Sequence, residues 1–314
     1  MTLQIKGGAR VPGPLGVPPP GTGGRFPGPI GTPLWDQKTS KPDQSTLTKV
    51  TKKTVMPFPT NEKPADNKDV HVVDWPLFTK EPAFTEVKQA PLIANCPVAA
   101  ILAAMAFTSV GRSAIKAMLS ENSGNVLTDL SSLPVGTLSN PPSGTTISSS
   151  RSFNVKVDKD SIDVSDVLYT DDHDAGWSPL YLRDPGDQCI WAAIIEKALA
   201  VKLKGYESFM TLDISANDFW EKITGVKPGG IEIKADTPLN TIIEKAKAST
   251  TVPTIGASKP DSTDVEFVSE FHGFSMLGLK GSEIQLYDPA KAKTILISPA
   301  NFRHDFQAIL FRRT

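Results

Sequence analysis

Three residues of this 314-residue sequence, Cys96, His272 and Asp288, are of types that could act together on a carbonyl group. A thiol attacks well only as thiolate, and the start of a buried helix favours that form through the helix dipole and free N–H groups. Cys96 has such a place. Asn95-Cys96-Pro97 precedes VAAILAAMAF, strong helix formers apolar on every side, and Pro97 suits a first helical position, which puts Cys96 at the cap. The commoner fate of cysteine is a small buried hydrophobe, so the case for chemistry depends on partners. His272 opens the alternating strand FHGFSMLGL, and Lys280-Gly281-Ser282 reads as the turn into EIQLYD. In an antiparallel pair hinged near Gly281, the residue facing His272 lies at about 289 to 290, within two places of Asp288 once a bulge is allowed. A carboxylate there would fix the tautomer and stabilise the imidazolium. A structural histidine on a sheet edge fits the same spacing.

The other chemical residues carry less. Cys189 is expected to open a helix capped by Asp187, but no histidine flanks it. His173, in Asp171-Asp172-His173-Asp174, could face a cation, although a solvated loop is the plainer expectation. His304 in NFRHDF and His71 read as structural. No zinc spacing or Gly-rich phosphate loop occurs, so neither a metal nor a cofactor is expected.

The elements that must position the three residues are legible in outline. After the helix at Cys96, SAIKAMLSEN reads as a second helix and Ser120 to Ser150 as surface loops. SFNVKVD and VSDVLYT alternate as strands, and CIWAAIIEKALAVKLK forms an amphipathic helix ending at Gly205. SANDFWEKITG is a short capped helix. PTIGAS, FHGFSMLGL, EIQLYD and KTILIS follow as strands, with NFRHDF between them and the terminal QAILFRR. A helical piece holding the cysteine before a β-rich piece holding the histidine implies an α+β chain.

Gly7 to Pro33 is dominated by glycine and proline and cannot bury enough apolar surface to offset chain entropy. Residues 1–68 are therefore expected to be a disordered leader, either a tether or a docking segment for a delivery or partner protein. Order is expected from near His71. With 33 basic and 34 acidic side chains, no global field draws in nucleic acid or an anionic membrane. The first residues lack a secretory signal, and the longest apolar run, Pro97 to Phe107, is too short to span a bilayer. These features lead to an expected cytoplasmic protein, or an effector directed by its leader, with two reduced thiols.

GWSPLYLRDPGDQCIWAAIIEKALAVKLKGYESF resembles a calpain stretch in which a tryptophan precedes L-L-E-K-A-Y-A-K-L and then G-S-Y-E. Trp191, Glu196-Lys197-Ala198 and Gly205-Tyr206-Glu207 match it in order. FNVKVD is similar to the family's V-x-V-D strand and FWEKITG to its L-T-G turn. Asn95-Cys96 with AAILAAMA resembles G-D/N-C-W-L-L-A-A, and His272-Gly273-Phe274-Ser275 resembles H-A-Y-S. The resemblance covers about Val87 to Leu310. It implies a papain-like two-lobed α+β fold, with a cysteine-bearing helical lobe at 69–206 and a histidine-bearing β-rich lobe at 207–314. It also implies a thiol endopeptidase acting on proteins or peptides, with Cys96 as nucleophile and His272 as base.

Pro97 stands where the family has tryptophan, and Asp288-Pro289-Ala290 replaces N-P-W-G, so Asp288 takes the third role. The family's oxyanion glutamine lies six residues before the cysteine, and Gln89 lies seven before. The return from His272 to Asp-Pro-Ala is also similar to double-glycine leader peptidases and transglutaminases. A Cys-His-Asp acyltransferase, either a transglutaminase or a peptide ligase, is thus one alternative. A calpain-like binding module without turnover is the other.

Overall fold

Short, mostly apolar strands in the last third form a six-stranded antiparallel sheet, and helices cover both its faces. The computed structural model describes residues 55–57, 69–73, 75–89, 95–122, 126–129, 147–173, 176–206, 209, 215–260, 268 and 271–313, all within one compact unit. In chain order the elements are β1 (Val55–Pro57), β2 (Asp69–Val72), a 3-10 turn (Phe84–Glu86), α1 (Cys96–Phe107), α2 (Ser109–Met118), β3 (Leu119–Glu121), β4 (Val126–Asp129) and β5 (Ile147–Ser150). Then come β6 (Ser152–Val157), β7 (Asp160–Ser165), β8 (Val167–His173), β9 (Gly176–Pro179), α3 (Trp191–Lys202), α4 (Ala216–Thr224), β10 (Gly229–Glu232) and α5 (Leu239–Ala248). The chain closes with β11 (Thr254–Ser258), β12 (Gly273–Lys280), β13 (Glu283–Asp288), β14 (Lys293–Ile297), α6 (Pro299–Asp305) and β15 (Phe306–Phe311). The chain is mixed α+β. The large sheet runs β10-β15-β11-β12-β13-β14, and three-stranded sheets are formed by β1-β4-β5, β2-β8-β9 and β3-β6-β7.

The helix α1 is buried along its whole length except Phe107. Ile101 and Leu102 alone bury surface worth about 1.5–3 kcal/mol each. It lies on the face of the large sheet formed by Ile255, Ala257, Leu277 and Leu310, and a buried bond from Ser275 Oγ to the Ala100 carbonyl (2.7 Å) ties it to β12. Phe274, Met276, Leu286 and Phe306 occupy the opposite face with Ile242 and Ala246 of α5 and Phe302 of α6. Between α1 and α2 the chain bends by 115°. Thr108 caps α2 by accepting from Gly111 N–H, and a Cβ on Gly111 would stand 2.1 Å from the Met105 carbonyl oxygen, so the elbow requires glycine there. No single described helix is long and apolar enough to cross a membrane.

Several expected elements change. The second helix starts at Ser109 rather than Ser113 and stops at Met118, because Leu119–Glu121 pairs with β6. The stretch from Ser120 to Ser150 contributes strands as well as loops, with β4 pairing to β5. α3 begins at Trp191, so Cys189 does not open it, and Asp187 does not cap it. Asp187 sits in a left-handed turn (φ 52°) in which Asp184 accepts from Gly186 and Gln188 N–H (both 2.9 Å). α3 is also buried around most of its circumference rather than amphipathic, its Glu196 and Lys197 included. The capped helix at Ser215 forms as expected, with a Ser215/Asp218 capping box and Gly225 in the left-handed region after its last turn. NFRHDF lies mostly in α6. β10 and α5 were not anticipated, although Leu239, Ile242 and Ala246 carry a helical period. The strand β1 lies within the stretch expected as leader and pairs in parallel with β4. Residues 1–54 lie outside the described residues.

Candidate functional site

The histidine, aspartate and cysteine meet at one end of the large sheet, where the start of β12, the end of β13 and the first turn of α1 converge. The hairpin register pairs Ser275 with Tyr287, with a bulge at Leu277 where Gly278 adopts φ 107°. Continued backwards, that register leaves Asp288 diagonally across from His272 on the same face of the sheet. His272 Nε2 lies 2.9 Å from Asp288 Oδ1, and both side chains are buried. The Asp288 Oδ1 also accepts from Ala290 N–H (2.9 Å) and Lys291 N–H (3.3 Å), a turn that orients the carboxylate before the imidazole is added. Lys291 Nζ stands 3.5 Å from Oδ2, beyond a good hydrogen bond but close enough to neutralise charge.

Two devices bring β12 against the cysteine. The main chain of His272 is fixed by Ser258 on β11, which donates its N–H to the His272 carbonyl (3.0 Å) and accepts the His272 N–H at Oγ (2.8 Å). Gly273 faces α1 with no side chain between them. A Cβ there would meet the Cys96 carbonyl oxygen at 3.1 Å and Ala100 Cβ at 3.2 Å. Phe271 is held in the left-handed region (φ 46°), a strain of about 1–3 kcal/mol in a non-glycine residue. Its carbonyl lies 3.9 Å from Cys96 Sγ. Cys96 is the first residue of α1, with Asn95 as N-cap and Pro97 following, one position inside the expected cap. With Nε2 taken by Asp288, Nδ1 is the imidazole nitrogen left for another partner.

The electrostatics follow from this packing. Burial of His272 opposes its protonation, but the hydrogen bond to Asp288 and the interaction with Cys96 outweigh burial and raise its pKa to about 9. Burial pushes the Asp288 carboxyl up, yet His272 and Lys291 overcome that and hold it below the usual carboxylate range. The imidazole also packs perpendicular to the Phe274 ring, with the ring centres 4.8 Å apart.

Gln89, assigned from the resemblance, is buried and its N–H donates to the Pro289 carbonyl (2.9 Å), one residue past Asp288. Its main chain therefore joins the edge of the site. Cys189 is also buried, but beside carboxylates. Burial first, then Glu86 and Asp184, push its thiol far above the ordinary range, which keeps it protonated and unreactive. His304 is exposed and lies 2.9 Å from Asp305, away from the thiol. His71 and His173 lie on β2 and β8, and the expectations for their side chains fall outside the described residues. Among the described residues no group of three or more His, Cys, Asp or Glu could hold a metal ion.

The residue that sequence reasoning missed is Glu196, completely buried in α3. Its Oε1 accepts from Asn95 Nδ2, directly before the cysteine, and its Oε2 accepts from Leu182 N–H at 2.8 Å. A glutamate inside an otherwise apolar helical stripe was the available signal. Lys197 turns elsewhere, donating to Ser165 Oγ (3.1 Å) and to the Ser165 and Val167 carbonyls. No protein-family model matches this sequence, and no curated protein matches it.

Proposed function

We propose that the chain is a calpain-like cysteine endopeptidase with a papain-like two-lobed fold, the lobes spanning 69–206 and 207–314. The observation that carries this reading is the buried contact of His272 Nε2 with Asp288 Oδ1 at 2.9 Å, together with a cysteine at a helix start whose Sγ lies 3.9 Å from the carbonyl of Phe271, the residue before that histidine. An oriented base between a carboxylate and a thiol at a helix start is what nucleophilic acyl transfer requires.

In this reading His272 holds the thiol proton as imidazolium and Asp288 stabilises that charge. Cys96 Sγ attacks the peptide carbonyl carbon, forming a C–S bond as the carbonyl electrons move to oxygen. The Cys96 N–H, with the Gln89 amide as second donor, stabilises that oxyanion. On collapse the C–N bond breaks, His272 gives its proton to the leaving amine, and a thioester remains. Water then attacks with His272 taking its proton, the C–S bond breaks, and the thiolate–imidazolium pair is restored. The substrate is a protein or peptide.

The test is turnover of unfolded casein by the full chain and by Cys96→Ala, together with labelling of Cys96 by a peptidyl epoxide. Cleavage and labelling that both vanish in Cys96→Ala support the reading. An active Cys96→Ala protein removes this thiol from the reaction, while labelled Cys96 without hydrolysis but with transfer to an added amine shifts the function to an acyltransferase.

A further inference from the structure

Asparagine at a helix N-cap ordinarily turns its side-chain oxygen onto the N–H groups of the first turn. Asn95 does not. Its side chain makes no cap bond, its Nδ2 donates to Glu196, and its Oδ1 is buried without a hydrogen-bond partner. The carboxylate it reaches lies 101 residues away, has no solvent exposure and spends its second oxygen on Leu182 N–H. A buried oxygen left unsatisfied is destabilising, so this arrangement is not the one a helix cap alone would select.

The far side of the same clamp reaches the rest of the site. Arg183, next to Leu182, exchanges main-chain bonds with Lys88: Lys88 N–H to Arg183 O at 2.7 Å and Arg183 N–H to Lys88 O at 3.0 Å. The following residue, Gln89, donates its N–H to Pro289 O beside Asp288. A single carboxylate thus connects the turn holding Cys96 to the strand-like segment holding Gln89, and through Pro289 to the aspartate loop. Its own oxygens touch none of the three proposed reacting groups.

We infer that Glu196 is a positioning residue of the thiol site, acting through Asn95 to hold the first turn of α1 in register with Gln89 and the His272–Asp288 pair. This inference rests on the cysteine-peptidase reading above. Because the Asn95 side chain is drawn to Glu196, it does not occupy the first-turn N–H groups at the position where an oxyanion develops. Two carboxylates at 95 and 196 would leave no donor between the two sides of the clamp, which then come apart by the fraction of an ångström to which covalent catalysis is sensitive.

A reciprocal exchange tests it, because Glu196→Ala could simply fail to fold. In the double variant Asn95→Asp/Glu196→Gln, the new amide donates to the new carboxylate and its oxygen still accepts from Leu182 N–H, restoring the same connections with donor and acceptor reversed. The measurements, on the full chain, are the iodoacetamide alkylation rate of Cys96 followed on its own peptide by mass spectrometry, kcat and KM on a peptide substrate, and the melting temperature. The expected result is that Asn95→Asp lowers kcat and the alkylation rate by about 10- to 100-fold with little change in KM, whereas Glu196→Gln, whose amide can donate to a turned Asn95 Oδ1 while its oxygen accepts from Leu182 N–H, stays within a few-fold of wild type. The double variant recovers both to within a few-fold of wild type. An Asn95→Asp variant that reacts like wild type, or a double variant no faster or no better folded than Asn95→Asp, overturns the inference alone. A wild-type Cys96 that alkylates no faster than free cysteine overturns the peptidase reading, and the inference with it.

Discussion

Asp288 Oδ1 is 2.9 Å from His272 Nε2 and 2.9 Å from the Ala290 N–H, so one oxygen both orients the imidazole and closes the turn that orients itself. An asparagine could keep these acceptor contacts through its own oxygen, but it would present an amide nitrogen to Lys291 and supply no charge to the imidazolium.

Asp288→Asn is accordingly expected to keep part of the proposed peptidase activity, whereas His272→Ala and Cys96→Ala abolish it. The retained activity should lose its basic limb at a lower pH, because the Asp288 bond and charge act with Cys96 to lift the His272 pKa to about 9 against burial. A downward shift of about one unit or more is expected from a lost buried carboxylate. A pH–rate profile of Asp288→Asn that superimposes on wild type removes the aspartate from this role.

Stability carries the same signature with the sign set by each group. His272 is raised when folded, so its contribution is complete below about 6.5 and is lost as pH climbs through about 9. Asp288 is depressed, so its contribution is present above its unfolded value of 3.8 and is lost as pH falls through the lower folded value. Urea titrations of wild type and His272→Ala between pH 6 and 10 should converge as pH rises. A stability difference that does not shrink over that range contradicts the pairing.

Gly273→Val should separate β12 from the first turn of α1, since even a Cβ meets the Cys96 carbonyl at 3.1 Å. The expected loss is about 10- to 100-fold in kcat with the chain still folded. Circular dichroism with turnover decides it, and full activity in this variant would show that the approach is not tight.

Iodoacetamide at pH 7.5 should modify Cys96 and leave Cys189 intact in the native chain, because burial, Glu86 and Asp184 keep the Cys189 thiol protonated. Peptide mapping reads this directly. Comparable labelling of both thiols would show that helix placement and the imidazole give Cys96 no advantage.

Lys197→Met should lower the unfolding free energy by about 2–4 kcal/mol, since the Ser165 and Val167 carbonyls would lose their buried donor. Chemical denaturation measures it. A neutral effect would mean that the two carbonyls find other partners.

Local rules made part of this molecule readable in advance. Short apolar runs placed β11 to β14, and the glycine turn at Gly281 brought together His272 and Asp288, sixteen residues apart, because antiparallel register follows from the turn that closes it. The helix at Cys96 was equally visible, since its composition and Pro97 act within a few residues. What the sequence by itself determined, then, is that Cys96 starts a buried helix and that His272 and Asp288 share a hairpin. Other features formed only in three dimensions. The end of α2 was overridden by pairing of Leu119 with Val155, and the start of α3 by the Asp184 turn. The contact of Gly273 with Cys96, the left-handed Phe271, and the bond from Asn95 to Glu196 join residues more than a hundred positions apart or depend on such joins. Such contacts form when whole faces of α1, α3 and the large sheet pack, and the direction in which one buried amide then turns is chosen by whichever hydrogen-bonding group that packing leaves within reach.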